Sequence, residues 1–122
     1  MVYLITGRAG SGKTHHAQRL ILDLQSRGVP ALLLDGDAVR WHFDDRDFSD
    51  EGRYNHLMRM AKMAAIVENQ DFVVVVACVS PKKKWRQEMR SLWRQSTLVY
   101  MPGGSLWEGT EYEVPDLEEL AK

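Results

Sequence analysis

The chain has 122 residues, 44% of them hydrophobic and 27% charged, with a formal net charge of -1. That length suits one domain with a core of its own, and the balance excludes a disordered segment, a membrane-spanning chain and a protein basic enough to hold nucleic acid by its global field. Cys78 is the only cysteine, which excludes an intrachain disulfide and a cysteine-rich zinc site and fits a reducing compartment such as the cytoplasm.

Residues 1–122 are read as a single domain. The apolar run Met1 to Thr6 is stopped at once by Gly7 and Arg8, too short for a signal segment or a membrane span, so cytoplasmic location and no membrane partner are expected. Within it, Val2 to Thr6 is β-branched and aromatic and reads as a buried strand. From Gly12 to about Arg27, Ala17, Leu20, Ile21 and Leu24 recur at helical spacing, with Gly28 as the stop. Ala31 to Leu34 reads as a second buried strand ending at the turn Asp35-Gly36-Asp37. Glu51 to Asn69 carries Leu57, Met60, Ala61, Ala64 and Ala65 and predicts a long helix. Asp71-Phe72 turns the chain into Val73 to Ala77, an unbroken apolar run suited to the centre of a sheet. Ser80-Pro81 predicts the start of a helix running to about Arg94. A fourth strand, Thr97 to Met101, is followed by a tail read as loop with at most a short terminal helix.

Alternating strands and helices imply an α/β fold of three layers, a mostly parallel sheet of about four strands flanked by helices. Ligands in such folds sit beyond the carboxyl ends of the strands. Gly7 to Thr14, Asp35 to Asp37 and Val79 to Pro81 all follow strand ends and are expected on one rim.

The segment Gly7-Arg8-Ala9-Gly10-Ser11-Gly12-Lys13-Thr14 matches G-x-x-x-x-G-K-S/T between a predicted strand and a predicted helix, the setting of a P-loop. Glycines allow positive φ and close approach, so successive amides can face an anion, and the helix N-terminus adds partial positive charge. These eight residues, with His15 beside them, are the expected ATP-binding set. Lys13 is assigned to the terminal phosphates, and Thr14 to the Mg²⁺ that bridges them. The loop by itself does not separate a kinase from an NTPase. The short chain and the lack of a guanine-reading N-K-x-D motif favour a kinase.

Asp37, at a strand end facing the loop, is the candidate carboxylate that takes a proton from an alcohol, with Asp35 assisting through the metal. The alternative for both is a solvated turn. Arg40 and Arg53 can fork onto a sulfate or phosphate, or pair with surface acids. Phe48 is either a stacking platform for a base or a core residue.

Asp35-Gly36-Asp37-Ala38-Val39-Arg40 resembles the L-D-G-D-x-V-R segment of the adenylylsulfate kinase family. Phe48-Ser49 with Arg53 is similar to its F-S-x-x-D-R, Val79-Ser80-Pro81 with Arg86 to its I-S-P-x-x-x-x-R, and Gly109 with Tyr112-Glu113-Val114-Pro115 to its P-Y-E-x-P region. The resemblance implies a P-loop kinase that transfers a phosphoryl group from ATP to the 3′-hydroxyl of adenylylsulfate. It assigns Asp37, Arg40, Phe48, Arg53, Asn55, Val79 and Ser80 to the acceptor.

The pattern also departs. One residue is missing between Arg40 and Phe48, Gly52 stands for an aspartate, and His56 stands where the family has asparagine, with Asn55 one position earlier. After Tyr100-Met101-Pro102 the family's arginine- and lysine-rich lid is absent, bridged here by Gly103 to Glu108. Arg8, Arg90 and Arg94 are candidates to replace its charge. Lys82-Lys83-Lys84 beside Trp85 reads as a solvated face rather than a nucleic-acid patch. Trp41, Trp93 and Trp107 read as packing residues, Trp107 alternatively as a flank for a base. Two other readings stand beside the first: a P-loop kinase for another alcohol, such as a nucleotide, a nucleoside or a polynucleotide end, and a lidless nucleotide-binding protein without catalysis. A homodimer is left open.

Overall fold

The computed structural model describes residues 1–105 and 111–122; Trp107 and Gly109 lie outside the described residues. The chain runs β1 (Val2–Gly7), α1 (Lys13–Ser26), β2 (Ala31–Asp35), α2 (Gly36–His42), α3 (Asp50–Glu68), β3 (Val73–Cys78), α4 (Lys83–Ser91), β4 (Ser96–Met101) and α5 (Leu117–Ala121). The strands form one sheet in the order β2-β3-β1-β4, each neighbouring pair parallel.

Successive strand residues face opposite sides of a sheet, and both sides are covered here, which is why β1 and β3 are apolar without alternation. On one face Val2, Leu4, Val74, Val76 and Leu98 meet Leu57, Met60, Ala61 and Ala64 of α3 and Met89 of α4. On the other, Ile5, Val75 and Ala77 meet Ala17, with Leu20, Ile21 and Leu24 of α1 packed around them. The register places Leu4 between Val76 and Leu98. Full burial of side chains like these contributes about 1.5–3 kcal/mol each, so the central strands anchor the rim that follows them. Among the described residues no helix is long and apolar enough to cross a membrane.

Three expectations are corrected. Trp41, read as a packing residue, is 81% exposed because it lies on the outer side of the short helix α2. The residues after Asp35 form the helix α2 rather than a turn. Asp35 has extended backbone and its side chain accepts the Asp37 amide, so the acidic pair read as a turn is an N-cap followed by a first-turn acid. The helix after β3 begins at Lys83, not at Ser80-Pro81, and ends at Ser91 rather than near Arg94. The Ser80 carbonyl accepts from Arg86 Nη1 at 2.8 Å and the Pro81 carbonyl from the Glu113 amide at 2.7 Å, so neither is available to a helical turn.

Candidate active site

The chain leaves β1 through α1 on one face of the sheet and leaves β3 through α4 on the other. The two connections diverge from adjacent strands, which opens a crevice at their carboxyl ends. There lies a cavity of about 370 Å³ whose walls include Lys13, Thr14, Asp35, Asp37, Arg40 and Arg53. The phosphate loop and the β2–α2 junction therefore open onto one space.

Gly10 and Gly12 take φ of 75° and 92°, a region closed to most side chains. Ala9, Gly10, Gly12, Lys13, Thr14 and His15 line the cavity. Lys13 Nζ donates to the Arg8 carbonyl at 2.8 Å. Its partial burial lowers the ammonium pKa from the ordinary value, opposed by Asp37 and Asp35. Thr14 Oγ1 donates to Asp35 Oδ2 at 2.9 Å, while Asp35 Oδ1 accepts from the Asp37 amide at 2.9 Å. One carboxylate thus ties the first turn of α1 to the first turn of α2.

Three loop residues do not line the cavity. Gly7 is buried beneath it, and a Cβ there would lie 2.6 Å from the Met101 carbonyl. The Ser11 hydroxyl is buried without a hydrogen-bond partner among the described residues. Arg8 turns toward β4, its Nη1 donating to the Tyr100 hydroxyl at 3.3 Å and its guanidinium lying 5.1 Å from the Tyr112 ring centre. Outside the loop, Gly103 and Gly104 take φ of 89° and 74°, and the Ser105 amide donates to the Ala9 carbonyl at 2.8 Å. This strap closes against the loop where the family pattern would continue into a lid.

At the other end, Arg40 Nη1 pairs with Asp45 Oδ1 at 3.1 Å and donates to the Asp47 carbonyl at 3.2 Å. Its guanidinium covers the Phe48 ring at 4.4 Å. Phe48 is 44% exposed, so the core reading fails, and its ring lines the cavity with Arg53, Val79 and Ser80. Asn55 is exposed on α3 and is not among the lining residues. Helical spacing from Arg53 brings in His56 and Leu57 instead. His56 is 5% exposed; burial, reinforced by Arg40 and Arg59, lowers its pKa to about 4, so the ring is neutral at neutral pH. The signal for it was the i, i+3 relation to Arg53.

Gly52 also has a local reason. A Cβ there would sit 2.2 Å from Asp47 Cγ, and Asp47 Oδ1 accepts from the Ser49 amide and hydroxyl ahead of α3. Glycine makes room for a carboxylate arriving from the shortened loop. Of the candidate replacements for lid charge, Arg90 is engaged by Ser96 and the Glu119 carbonyl and Arg94 by Glu68, both away from the cavity. Two of the three clustered lysines are likewise occupied: Lys83 with Asp116 at 2.8 Å and Lys82 over the Trp85 ring at 4.7 Å.

At the floor, Thr6 Oγ1 donates to the Ser80 carbonyl at 3.3 Å and accepts from Ser80 Oγ at 2.9 Å. Burial pushes the Cys78 thiol up to about 12, leaving it neutral and unreactive. Among the described residues no group of three or more His, Cys, Asp or Glu could hold a metal ion. Thr14 Oγ1 and the Asp35 carboxylate supply hard oxygen donors that suit Mg²⁺ when phosphate oxygens complete its shell.

A family model for adenylylsulphate kinase matches residues 1–103. The chain is 38% identical over 92 residues to an adenylyl-sulfate kinase of Paraburkholderia xenovorans, covering 75% of this chain and 51% of that protein. It is 36% identical over 100 residues to a probable adenylyl-sulfate kinase of Archaeoglobus fulgidus, covering 81% and 64%. It therefore spans about half to two thirds of the length of these relatives. Among solved structures, the Mycobacterium tuberculosis APS kinase in complex with AMPPNP and APS superposes with a TM-score of 0.78 at 27% identity, over 83% of this chain and 61% of that one. The phosphate loop, the acidic β2–α2 junction and the segment after β3 all fall within the matched residues, and on sequence and fold together the chain belongs to the adenylylsulphate kinase family.

Proposed function

We propose that this chain transfers the γ-phosphoryl group of ATP to the 3′-hydroxyl of adenylylsulfate. The observation that carries the reading is the Thr14–Asp35 hydrogen bond, which locks the phosphate-binding helix to the carboxylate-bearing start of α2 across one cavity. Family membership and the likeness to a kinase solved with AMPPNP and APS support it.

The loop amides and Lys13 receive the triphosphate, and Lys13 exchanges its contact with the Arg8 carbonyl for phosphate oxygens. Thr14 and Asp35 would hold Mg²⁺, which when bound offsets charge on the β and γ phosphates. Arg40 and Arg53 hold the anionic part of the acceptor, and Phe48 supports its base. The acceptor oxygen bonds to the γ-phosphorus as the bond to the β-phosphate oxygen breaks, and Asp37 takes the hydroxyl proton.

Purified protein with ATP, Mg²⁺ and a panel of alcohols tests this, the diagnostic product being phosphorylated adenylylsulfate. Preference for a nucleoside or polynucleotide end would defeat the acceptor assignment. Calorimetric ATP binding without transfer to any acceptor would establish a binding protein instead.

A further inference from the structure

Behind the acceptor end of the cavity, Asp45 and Arg59 connect Arg40 to His56, and the proposed phosphoryl transfer gives Asp45, Arg59 and His56 no part. Asp45, in the loop after α2, grips Arg40 through Oδ1 at 3.1 Å and Arg59 of α3 through Oδ2 at 2.9 Å. The same Arg59 Nη2 lies 3.0 Å from His56 Nδ1. A guanidinium nitrogen can only donate. Nη2 carries two hydrogens, one for Asp45 and one for the imidazole, so Nδ1 accepts and the neutral ring carries its own hydrogen on Nε2.

The guanidinium has few other anchors. It covers the Phe43 ring at 4.3 Å, and its buried Nε has no hydrogen-bond partner among the described residues. Asp45, Phe43 and His56 therefore define where it sits. On the far side of the ring, Nε2 faces the cavity floor: a Cβ built on Gly36 would lie 3.5 Å from it, and His56, Gly36, Arg40 and Arg53 line the same space.

We infer that Arg59, backed by Asp45, is a positioning residue that holds His56 as the Nε2–H tautomer, and that this N–H donates to an anionic oxygen of the acceptor at the Arg40–Arg53 end of the cavity. The opposite tautomer would present a lone pair to the same oxygen and repel it. Lys13, Arg40 and Arg53 already bring three cations to the cavity, so a neutral donor adds a directed contact without further like-charge repulsion. The identity of the acceptor rests on the proposed function; the tautomer does not.

Nitrogen-15 NMR of histidine-labelled protein reads the tautomer directly, with the His56 signals assigned from His56→Gln. The expected result is the Nε2–H form at neutral pH, with the Nε2–H resonance shifting on addition of inorganic sulfate or adenylylsulfate. Arg59→Met is expected to mix the tautomers and to raise KM for adenylylsulfate about tenfold while leaving KM for ATP unchanged, the scale of one hydrogen bond to a charged group. His56→Gln, whose amide reaches the Nε2 position, should keep the acceptor KM that His56→Leu loses. An Nδ1–H ring in the unmodified protein, or an unchanged tautomer and acceptor KM in Arg59→Met, overturns the inference. If adenylylsulfate is not a substrate, the proposed function fails while the spectra with sulfate still decide this point.

Discussion

The Tyr112 hydroxyl lies 2.8 Å from Thr6 Oγ1, joining the C-terminal segment to the last turn of backbone before the phosphate loop. Thr6 gives its single hydrogen to the Ser80 carbonyl, so Tyr112 is the donor. Its ring stacks on Tyr100 at 6.2 Å, and the Arg8 and Arg86 guanidiniums lie 5.1 and 5.6 Å from its centre. Residues beyond the family match at 1–103 thus help build the floor of the site.

Tyr112→Phe keeps the ring and removes the donor, leaving Thr6 with an unused lone pair. A loss of about 1 kcal/mol is expected, and about 3–5 kcal/mol for Tyr112→Ala, which also removes the ring that both guanidiniums contact. Urea denaturation of the two variants measures both.

Arg86 is fully buried and forks onto Glu119 at 2.5 and 3.0 Å while also holding the Ser80 and Glu113 carbonyls at 2.8 Å each. Glu119→Gln leaves the guanidinium in the interior without its counter-charge, at an expected cost of about 3–5 kcal/mol. The double variant Arg86→Met with Glu119→Leu should lose less than the two single losses combined, although the two carbonyls then lack donors. Chemical denaturation of Arg86→Met, Glu119→Leu and the double variant provides the cycle, with Glu119→Gln measured beside it.

Binding and chemistry are separable in the phosphate loop and at the start of α2. Lys13→Ala is expected to weaken ATP binding sharply in calorimetry. Asp37→Asn is expected to lower kcat by about 10²–10⁴-fold, the usual contribution of a positioned base, with ATP affinity within about twofold of the parent. Equal losses of ATP affinity in both variants would show Asp37 to be part of the nucleotide site rather than the base.

His56 gives a stability profile with a defined sign. Its folded pKa is about 4 against 6.5 for the free side chain, so between those values the unfolded chain binds more protons. The contribution is fully present above pH 6.5 and is lost as pH falls toward 4, by up to about 3 kcal/mol. Denaturation midpoints between pH 6.5 and about 5.5, above the range where most carboxylates titrate, should fall in the parent and stay flat in His56→Gln.

The four strands were legible because both faces of the sheet are covered, which makes each strand a short apolar run bounded by glycine, proline or acids. The phosphate loop was legible because its glycines answer a backbone requirement that few other residues meet. α2 was not: seven residues with an exposed Trp41 show no apolar stripe, and an Asp-Gly-Asp sequence serves an N-cap as well as a turn. The start of α4 depended on the Ser80 carbonyl being claimed by Thr6 and Arg86 and the Pro81 carbonyl by Glu113, contacts that only the folded chain makes. His56 rather than Asn55 reaches the cavity because α3 turns the residue three positions after Arg53 to the same face, a relation that residue type does not carry. The Asp45–Arg59 connection has no local signature, since it forms only when the loop after α2 folds back on the following helix.

The bond from Ser105 to the Ala9 carbonyl also has an orienting effect. A trans peptide points its C=O and N–H in opposite directions, so holding the Ala9 oxygen against Ser105 also fixes the Gly10 amide pointing the other way, on a residue that borders the cavity. Gly104 permits the contact, because a Cβ there would lie 2.4 Å from that same oxygen. A three-residue link with no charge of its own thereby determines the direction of one dipole in the loop opposite it.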